Sequence, residues 1–96
     1  MFKGADGQTP DPQFVADEIQ RLNVTVDEFA RCMKAKLEVK VKEGRSGWDN
    51  PANAEAIYNA LLAHAAGVPL AREQEIDVAN FAMFLYWMRW DGGAHE

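Results

Sequence analysis

Residues 78 to 88 read Val78-Ala79-Asn80-Phe81-Ala82-Met83-Phe84-Leu85-Tyr86-Trp87-Met88, and every position except Asn80 carries an apolar or aromatic side chain. The pattern predicts a helix that is apolar on nearly every face, and such a helix must be buried on nearly every face. A chain of 96 residues has little surface with which to bury it, so we expect a partner subunit to cover part of this helix. The predicted interface positions are Phe81, Phe84, Trp87 and Met88.

Two helices are predicted in the first half of the chain. The first begins at Asp11-Pro12, an N-cap followed by proline at the first helical position, and ends near Asn23. The second begins at Thr25, because Thr25 and Glu28 have the spacing of a capping box, and Gly44 supplies its C-terminal stop. The first part of the chain therefore predicts two successive helices with a break between residues 23 and 25.

Two further helices complete the predicted fold. The third opens at Asn50-Pro51 and ends at Ala66, before Gly67. The fourth begins near Leu70 and is stopped by the glycines that follow Asp91. We therefore predict an all-α fold, a compact bundle of about four helices that is completed by homo-oligomerisation.

The same pattern predicts one domain with loose ends. We expect a flexible N-terminus over residues 1–10, a single helical domain over 11–91 and a flexible C-terminus over 92–96. No apolar run reaches the roughly 20 residues needed to span a bilayer, and the polar start of the chain lacks the apolar core of a signal peptide. We therefore expect a cytoplasmic protein that does not bind membranes. The lone Cys32 predicts no internal disulfide.

Charge is distributed unevenly along the chain. The formal net charge is −5, which argues against a duplex nucleic acid as partner, because such binding needs many cations. Residues 31–45 nevertheless carry six cations and two acids. A single small anion suits this segment better than a long polyanion.

This cationic segment leads into a glycine loop that ends in an indole. Glycines allow backbone N–H groups to approach an anion, an arginine can clamp a phosphate with two hydrogen bonds, and an indole offers a stacking face for a base. The alternative is a solvated lysine face with a tryptophan packed under the loop. The candidate ligand-binding residues of this segment are Lys36, Lys40, Arg45, Ser46 and Trp48.

A second polar feature lies on the fourth helix. Glu73, Asp77 and Asn80 are spaced by four and three residues and share one face with aromatic side chains. A buried carboxylate and carboxamide are costly unless they are hydrogen-bonded. They either form a pocket for a nucleotide or a metal ion, or are satisfied by neighbouring backbone groups. His64 has no second metal-binding partner at a suitable spacing and is interpreted as structural.

The order of these features resembles a known family. Lys36 with Lys40, the loop Gly44-Arg45-Ser46-Gly47-Trp48 and the run Asp77-Val78-Ala79-Asn80-Phe81-Ala82-Met83 are similar to small phage-encoded proteins related to the MazG-type all-α nucleoside triphosphate pyrophosphohydrolases, including the dATP/dGTP class. The likeness covers roughly residues 29–88. It implies magnesium held by a Glu-x-x-Glu pair on one helix and a Glu-x-x-Asp pair on the next.

The chain departs from that metal-binding pattern. The residue three positions before Asp77 is Gln74, which leaves Glu73 one position off, and the inward stretch of the third helix contains no carboxylate. Of the four metal ligands that the resemblance implies, this chain retains one or two. The resemblance therefore implies a nucleotide-binding frame with a degenerate metal site.

Three functions remain open at this point. The first is binding and sequestration of a nucleotide or cyclic-nucleotide signal without catalysis or cofactor, in the manner of phage anti-defence sponges. The second is a magnesium-dependent pyrophosphohydrolase in which Glu73, Glu75 and Asp77 act with an acid from a second subunit. The third is a helical interaction module without a small ligand. The missing carboxylates favour the first.

Overall fold

The computed structural model describes residues 9–68 and 73–90, and within these ranges the chain is all-helical. Helix α1 spans Pro12–Lys42, α2 spans Ala54–Ala66 and α3 spans Gln74–Met88, with a short 3-10 helix over Pro51–Asn53 before α2. The all-α class predicted from the sequence is confirmed. The described part of the chain contains three α-helices, because the first two predicted helices are one.

The predicted break between residues 23 and 25 is wrong. Instead of capping a new helix, the Thr25 hydroxyl donates a hydrogen bond to the carbonyl oxygen of Arg21, at 2.9 Å, inside the continuous helix α1. A threonine hydroxyl can satisfy either an N-cap or the carbonyl one turn earlier. No proline or glycine lies between residues 13 and 43 to force the helix to end, so the second arrangement is adopted here.

The two ends of α1 agree with the sequence signals. Asp11 accepts a hydrogen bond from the backbone N–H of Gln13 at 3.3 Å, and Pro12 is the first helical residue. At the other end, the N–H of Gly44 bonds to the carbonyl of Val41 at 2.9 Å and the N–H of Arg45 to that of Lys40 at 3.0 Å. These two bonds form a Schellman motif around Gly44, whose φ of 93° suits glycine.

Helix α2 also begins and ends near the predicted residues. The Asn50 side chain accepts a hydrogen bond from the N–H of Ala52 at 3.0 Å, which caps the 3-10 helix that opens with Pro51. The helix ends at Ala66, and the cap residue Gly67 donates its N–H to the carbonyl of His64. The Asn-Pro start and the glycine stop are thus confirmed.

The ends of α3 differ from the prediction. The predicted start near Leu70 lies outside the described residues, and the helix as described begins at Gln74, after Glu73 with a left-handed φ of 67°. It ends at Met88, before the predicted stop at Asp91 and its glycines, which also lie outside the described residues. Arg89 takes the left-handed position of a second Schellman motif, with φ 55°.

The chain divides into two compact units, residues 1–30 and residues 31–96. In the described part of the first unit, most side chains are exposed, including the apolar Val15, Ile19, Leu22 and Val26. In the second unit α2 packs against α3. The predicted flexible termini fall almost wholly outside the described residues.

Little of the α3 surface is fully covered within one chain. Ile76 and Asn80 are its buried residues, whereas Trp87 remains 65% exposed. Phe81 and Phe84 are half-buried inside the unit. The covering of α3 by a partner subunit stays a prediction.

Candidate ligand-binding cavity

The second unit contains a partly open cavity of about 430 Å³. Its lining comes from the last turns of α1, the loop after α1, the helix α2 and the polar face of α3. The structure brings together in this lining all seven candidate ligand-binding residues named from the sequence: Lys36, Lys40, Arg45, Ser46, Trp48, Asp77 and Asn80. Residues separated by more than forty positions in the chain thus share one cavity.

The walls between these polar groups are apolar. They were not named as site residues from the sequence, although their helical spacing marked several of them as inward-facing. Phe81 and Phe84, predicted for an oligomer interface, contribute their rings to this cavity, while Trp87 and Met88 do not line it. The other apolar lining residues are Leu37, Val41, Ala56, Ile57 and Ala60.

A lysine and an aspartate join α1 to α3 at the cavity wall. The ammonium of Lys36 lies 3.1 Å from both carboxylate oxygens of Asp77, and both side chains are largely buried. The Glu73 carboxylate is also 3.9 Å from the same ammonium. The negative charge of Asp77 is therefore balanced within the chain, by a side chain and not by the backbone groups considered in the sequence analysis.

His64 joins α2 to α3 next to this ion pair. Its Nδ1 donates a hydrogen bond to Oε1 of Gln74 at 2.6 Å and lies 3.4 Å from Oδ2 of Asp77. Its ring centroid is 5.2 Å from that of Phe81. Gln74, at the position where the resemblance implies an acid, thus holds a histidine in place. These contacts agree with the structural interpretation of His64.

Asn80 is the most deeply placed polar group of the cavity lining. It is 4% exposed, and its Oδ1 atom has no hydrogen-bond partner among the described residues. It lies three residues after Asp77 and four before Phe84, so one face of α3 carries all three. The backbone partner considered for Asn80 from the sequence is not found for this oxygen.

Arg45 lies in the loop that follows α1, at the exposed edge of the cavity. Arg45 and Ser46 are exposed, and no side-chain partner engages Arg45 within the described part of the chain. Gly47 has a φ of 87°, and its carbonyl accepts a hydrogen bond from Nδ2 of Asn53 at 2.8 Å. A Cβ at Gly47 would lie 2.8 Å from that nitrogen, so the loop requires glycine here.

Trp48 packs on α3 and is also partly exposed. Its ring lies 5.4 Å from Phe84 and 6.1 Å from Trp87, centroid to centroid, in tilted arrangements. The residue is nevertheless 41% exposed and lines the cavity. One part of the indole packs on α3, and another part is exposed to solvent.

The carboxylates near the cavity do not fit a two-magnesium site. Both oxygens of Asp77 face the Lys36 ammonium, whereas magnesium needs near-ideal octahedral coordination by oxygen ligands. Within residues 9–68 and 73–90, no three His, Cys, Asp or Glu side chains converge on a common point. Glu73 and Asp77, the metal ligands named for the enzyme alternative, share one ammonium instead.

Comparison with known proteins does not identify a family or a function for this cavity. No family model, no curated protein and no solved structure matches the chain. Among the described helices, none is both long and apolar enough to cross a membrane.

Proposed function

We propose that this protein binds a nucleotide-like anion in the cavity of its second unit and holds it without chemical change. One observation carries the proposal: the candidate ligand-binding residues, chosen for anion binding, stacking and base recognition, line one cavity with apolar walls. Its volume of about 430 Å³ is in the range of small-molecule sites, which are mostly apolar with a few placed polar groups.

The charges of the lining support an anion as the ligand. Among the described lining residues there are three cations, Lys36, Lys40 and Arg45, and one carboxylate, Asp77, which is already paired with Lys36. Among the described residues, Arg45 is therefore left to bind phosphate, and Lys40, which forms a partly exposed ion pair with Glu43 at 3.7 Å, would join it by exchanging that partner. An arginine can give a phosphate two parallel hydrogen bonds, and charge-assisted bonds of this kind are stronger than neutral ones.

The remaining lining suits a base or ribose. The accessible part of Trp48 offers a stacking surface, and stacking of a base on an aromatic side chain is worth about 1–3 kcal/mol. Asp77 and Asn80 supply polar groups deeper in the cavity. A nucleotide would thus place its phosphate at the exposed edge and its base toward α3.

The Lys36–Asp77 pair favours binding over hydrolysis. In a magnesium-dependent pyrophosphohydrolase, carboxylates hold the cations that activate water and bind the triphosphate. Here an ammonium lies 3.1 Å from Asp77, the only carboxylate among the described residues that line the cavity. Hydrolysis would require acids from a second subunit, so sequestration, with self-association through the exposed aromatic surface of α3, is the simpler proposal.

Calorimetric titration tests this function directly. The purified protein is titrated with nucleoside triphosphates and with cyclic di- and trinucleotides, with and without magnesium, and each mixture is then separated by chromatography. We expect metal-independent binding with the ligand recovered intact. Pyrophosphate release that depends on magnesium would show the enzyme alternative instead, and absence of binding across the panel would refute a nucleotide site.

Arg45→Ala tests the proposed phosphate contact. We expect it to weaken binding by about 2 kcal/mol, roughly 30-fold, because a charge-assisted hydrogen bond pair is lost. Lys42→Ala is the control, since Lys42 is a neighbouring cation that pairs with Glu38 at 3.1 Å and does not line the cavity. Equal dissociation constants for the two variants would contradict the role given to Arg45.

A further inference from the structure

A second and more open cavity, of about 1070 Å³, lies between α2 and α3 in the second unit. We call it the aromatic groove, because its described lining includes Tyr58, Tyr86, Trp87 and Trp90, with Arg89 beside them. The ring of Tyr58 packs on that of Trp90 at 4.8 Å, centroid to centroid, whereas Tyr86 is 83% exposed and Trp87 65%. Tryptophan, tyrosine and arginine dominate the binding energy of protein interfaces, so this composition is typical of a docking surface.

The polar groups of the aromatic groove are mainly hydrogen-bond donors. The indoles of Trp87 and Trp90 and the guanidinium of Arg89 can only donate, and the phenols of Tyr58 and Tyr86 can donate as well. No Asp or Glu is found among the described residues that line the groove. A surface that suits the groove therefore combines apolar side chains with carboxylates.

The first unit carries such a surface on α1. Val15, Ile19, Leu22 and Val26 form one line of apolar side chains, here called the α1 stripe, and the last three are 52%, 61% and 62% exposed. Residues 12–30 also carry four acids and one cation. The α1 stripe extends over about 16 Å of helix, close to the length of α2 or α3. An amphipathic helix that lays its apolar face into a hydrophobic groove is a recurrent mode of recognition.

We propose that the α1 stripe of one copy docks in the aromatic groove of a second copy, and this inference rests on the self-association included in the proposed function. The contact is made twice about a two-fold axis, so the pair of chains closes on itself. Opposite charge favours this pairing. Two stripes in contact would bring acidic segments together, and two grooves in contact would bring Arg89 against its own copy.

The area available also suits a dimer. An aromatic side chain covers about 150–250 Å² when it is buried, and the dimer would cover two aromatic grooves and two α1 stripes. The total approaches the roughly 1,600 Å² of a standard specific interface. Contact between two α1 stripes alone would leave Tyr86 and Trp87 exposed and would bury much less.

Two valines of α1 provide a matched test of the stripe. Val26 lies on the α1 stripe, whereas Val24 is 57% exposed and lies on the opposite face of the same helix. We expect Val26→Lys to weaken dimerisation of the full chain at least about 30-fold, because a cation would be buried against a groove that offers donors. Val24→Lys should leave the dimerisation constant unchanged. Sedimentation velocity over a concentration series measures both, and equal dimerisation constants for the two variants would overturn the inference.

Mixing two variants tests which surfaces meet. Tyr86→Glu places a carboxylate in the aromatic groove, opposite an acidic segment, and should also weaken dimerisation. Combined with Val26→Lys, it leaves one intact contact, from the unchanged stripe of one chain to the unchanged groove of the other. We therefore expect the equimolar mixture to dimerise at least about 10-fold more tightly than either variant alone. Contacts of stripe with stripe and groove with groove predict no such rescue, so its absence would overturn the inference.

The unmodified chain decides between this inference and the nucleotide site. Both substituted side chains are exposed in one chain, so circular dichroism should show unchanged helix content in the variants. An unmodified chain that stays monomeric at every concentration would overturn both the docking and the self-association, and would point to a different protein as the occupant of the groove. Nucleotide binding would then still stand or fall by its own titration.

Discussion

Residues 12–30 and residues 31–90 both carry apolar side chains at helical spacing. The two stretches differ in whether those side chains pack against another part of the chain. The first stretch repeats apolar residues at alternating spacings of four and three, at Val15, Ile19, Leu22 and Val26, and all four are exposed. The second stretch places apolar residues around a cavity and packs α2 on α3. The comparison shows that an amphipathic pattern specifies a helix locally, whereas burial of its apolar face depends on a second surface.

The charges of the two stretches differ as well. Residues 12–30 carry four acids and one cation, and residues 31–42 carry five cations and one acid. The exposed apolar stripe is thus flanked by acidic side chains, and the cavity by basic ones. The basic stretch suits an anion, while the apolar stripe between the acidic side chains is left exposed within one chain.

We expect the two regions to differ most in how far truncation of an apolar side chain lowers the free energy of unfolding. Phe84→Ala removes a half-buried ring that contacts Trp48 and Phe81, and we expect it to lower the free energy of unfolding by about 2–4 kcal/mol. Leu22→Ala is the control, because Leu22 is 61% exposed and its truncation should cost less than about 0.5 kcal/mol in the dissociated chain. Urea denaturation at low protein concentration measures both. Similar losses for the two variants would mean that the stripe is buried in solution.

The next effect concerns the loop between α1 and α2. Gly47→Ala places a Cβ 2.8 Å from the Asn53 side chain, in addition to the cost of a left-handed backbone, so we expect a loss of about 1–3 kcal/mol in stability and weaker nucleotide binding. The matched variant is Gly44→Ala. Its φ is also positive, but no atom lies within 4 Å of the added Cβ.

Thermal unfolding and calorimetric titration separate the two glycine variants. Both should lose stability through the backbone, and the Gly47 variant should lose more and should bind ligand more weakly. An Ala at position 47 that leaves affinity unchanged would show that the loop does not position the anion contact.

The smallest expected change in stability concerns Arg89, at the C-terminal end of α3. Arg89 has a left-handed φ of 55° in a Schellman motif, a position that glycine occupies without steric cost. Arg89→Gly should therefore stabilise the second unit by about 0.5–1 kcal/mol. A lower midpoint of thermal unfolding for this variant would indicate that the Arg89 side chain makes a stabilising contact in the assembled protein.

Much of the local structure could be predicted from single residues. Asp11-Pro12, Gly44, Asn50-Pro51 and Gly67 mark helix ends in agreement with the structure, because caps and stops act within one helical turn. Thr25 misled the prediction for the same reason. Its hydroxyl fits two local arrangements, and the choice depends on whether anything else interrupts the helix.

Part of the candidate site could be predicted from the sequence. Cations before a glycine loop and polar residues at helical spacing indicated side chains that the fold then places in one cavity. The pairing of Lys36 with Asp77 could not be predicted, since it joins residues forty-one positions apart. The packing of Trp48 on Phe84 likewise depends on how the loop lies against α3.

The sequence by itself determined the helical class, most helix ends and the separation of acidic and basic charge along α1. These features follow from hydrogen bonds and side-chain spacing within a few residues. Only the tertiary structure decided that Lys36 neutralises Asp77, that Asn80 is buried beside the cavity, and that the stripe of residues 15–26 stays exposed in one chain. Each of those outcomes depends on which surfaces meet across long stretches of chain, and residue spacing within one helix does not specify that.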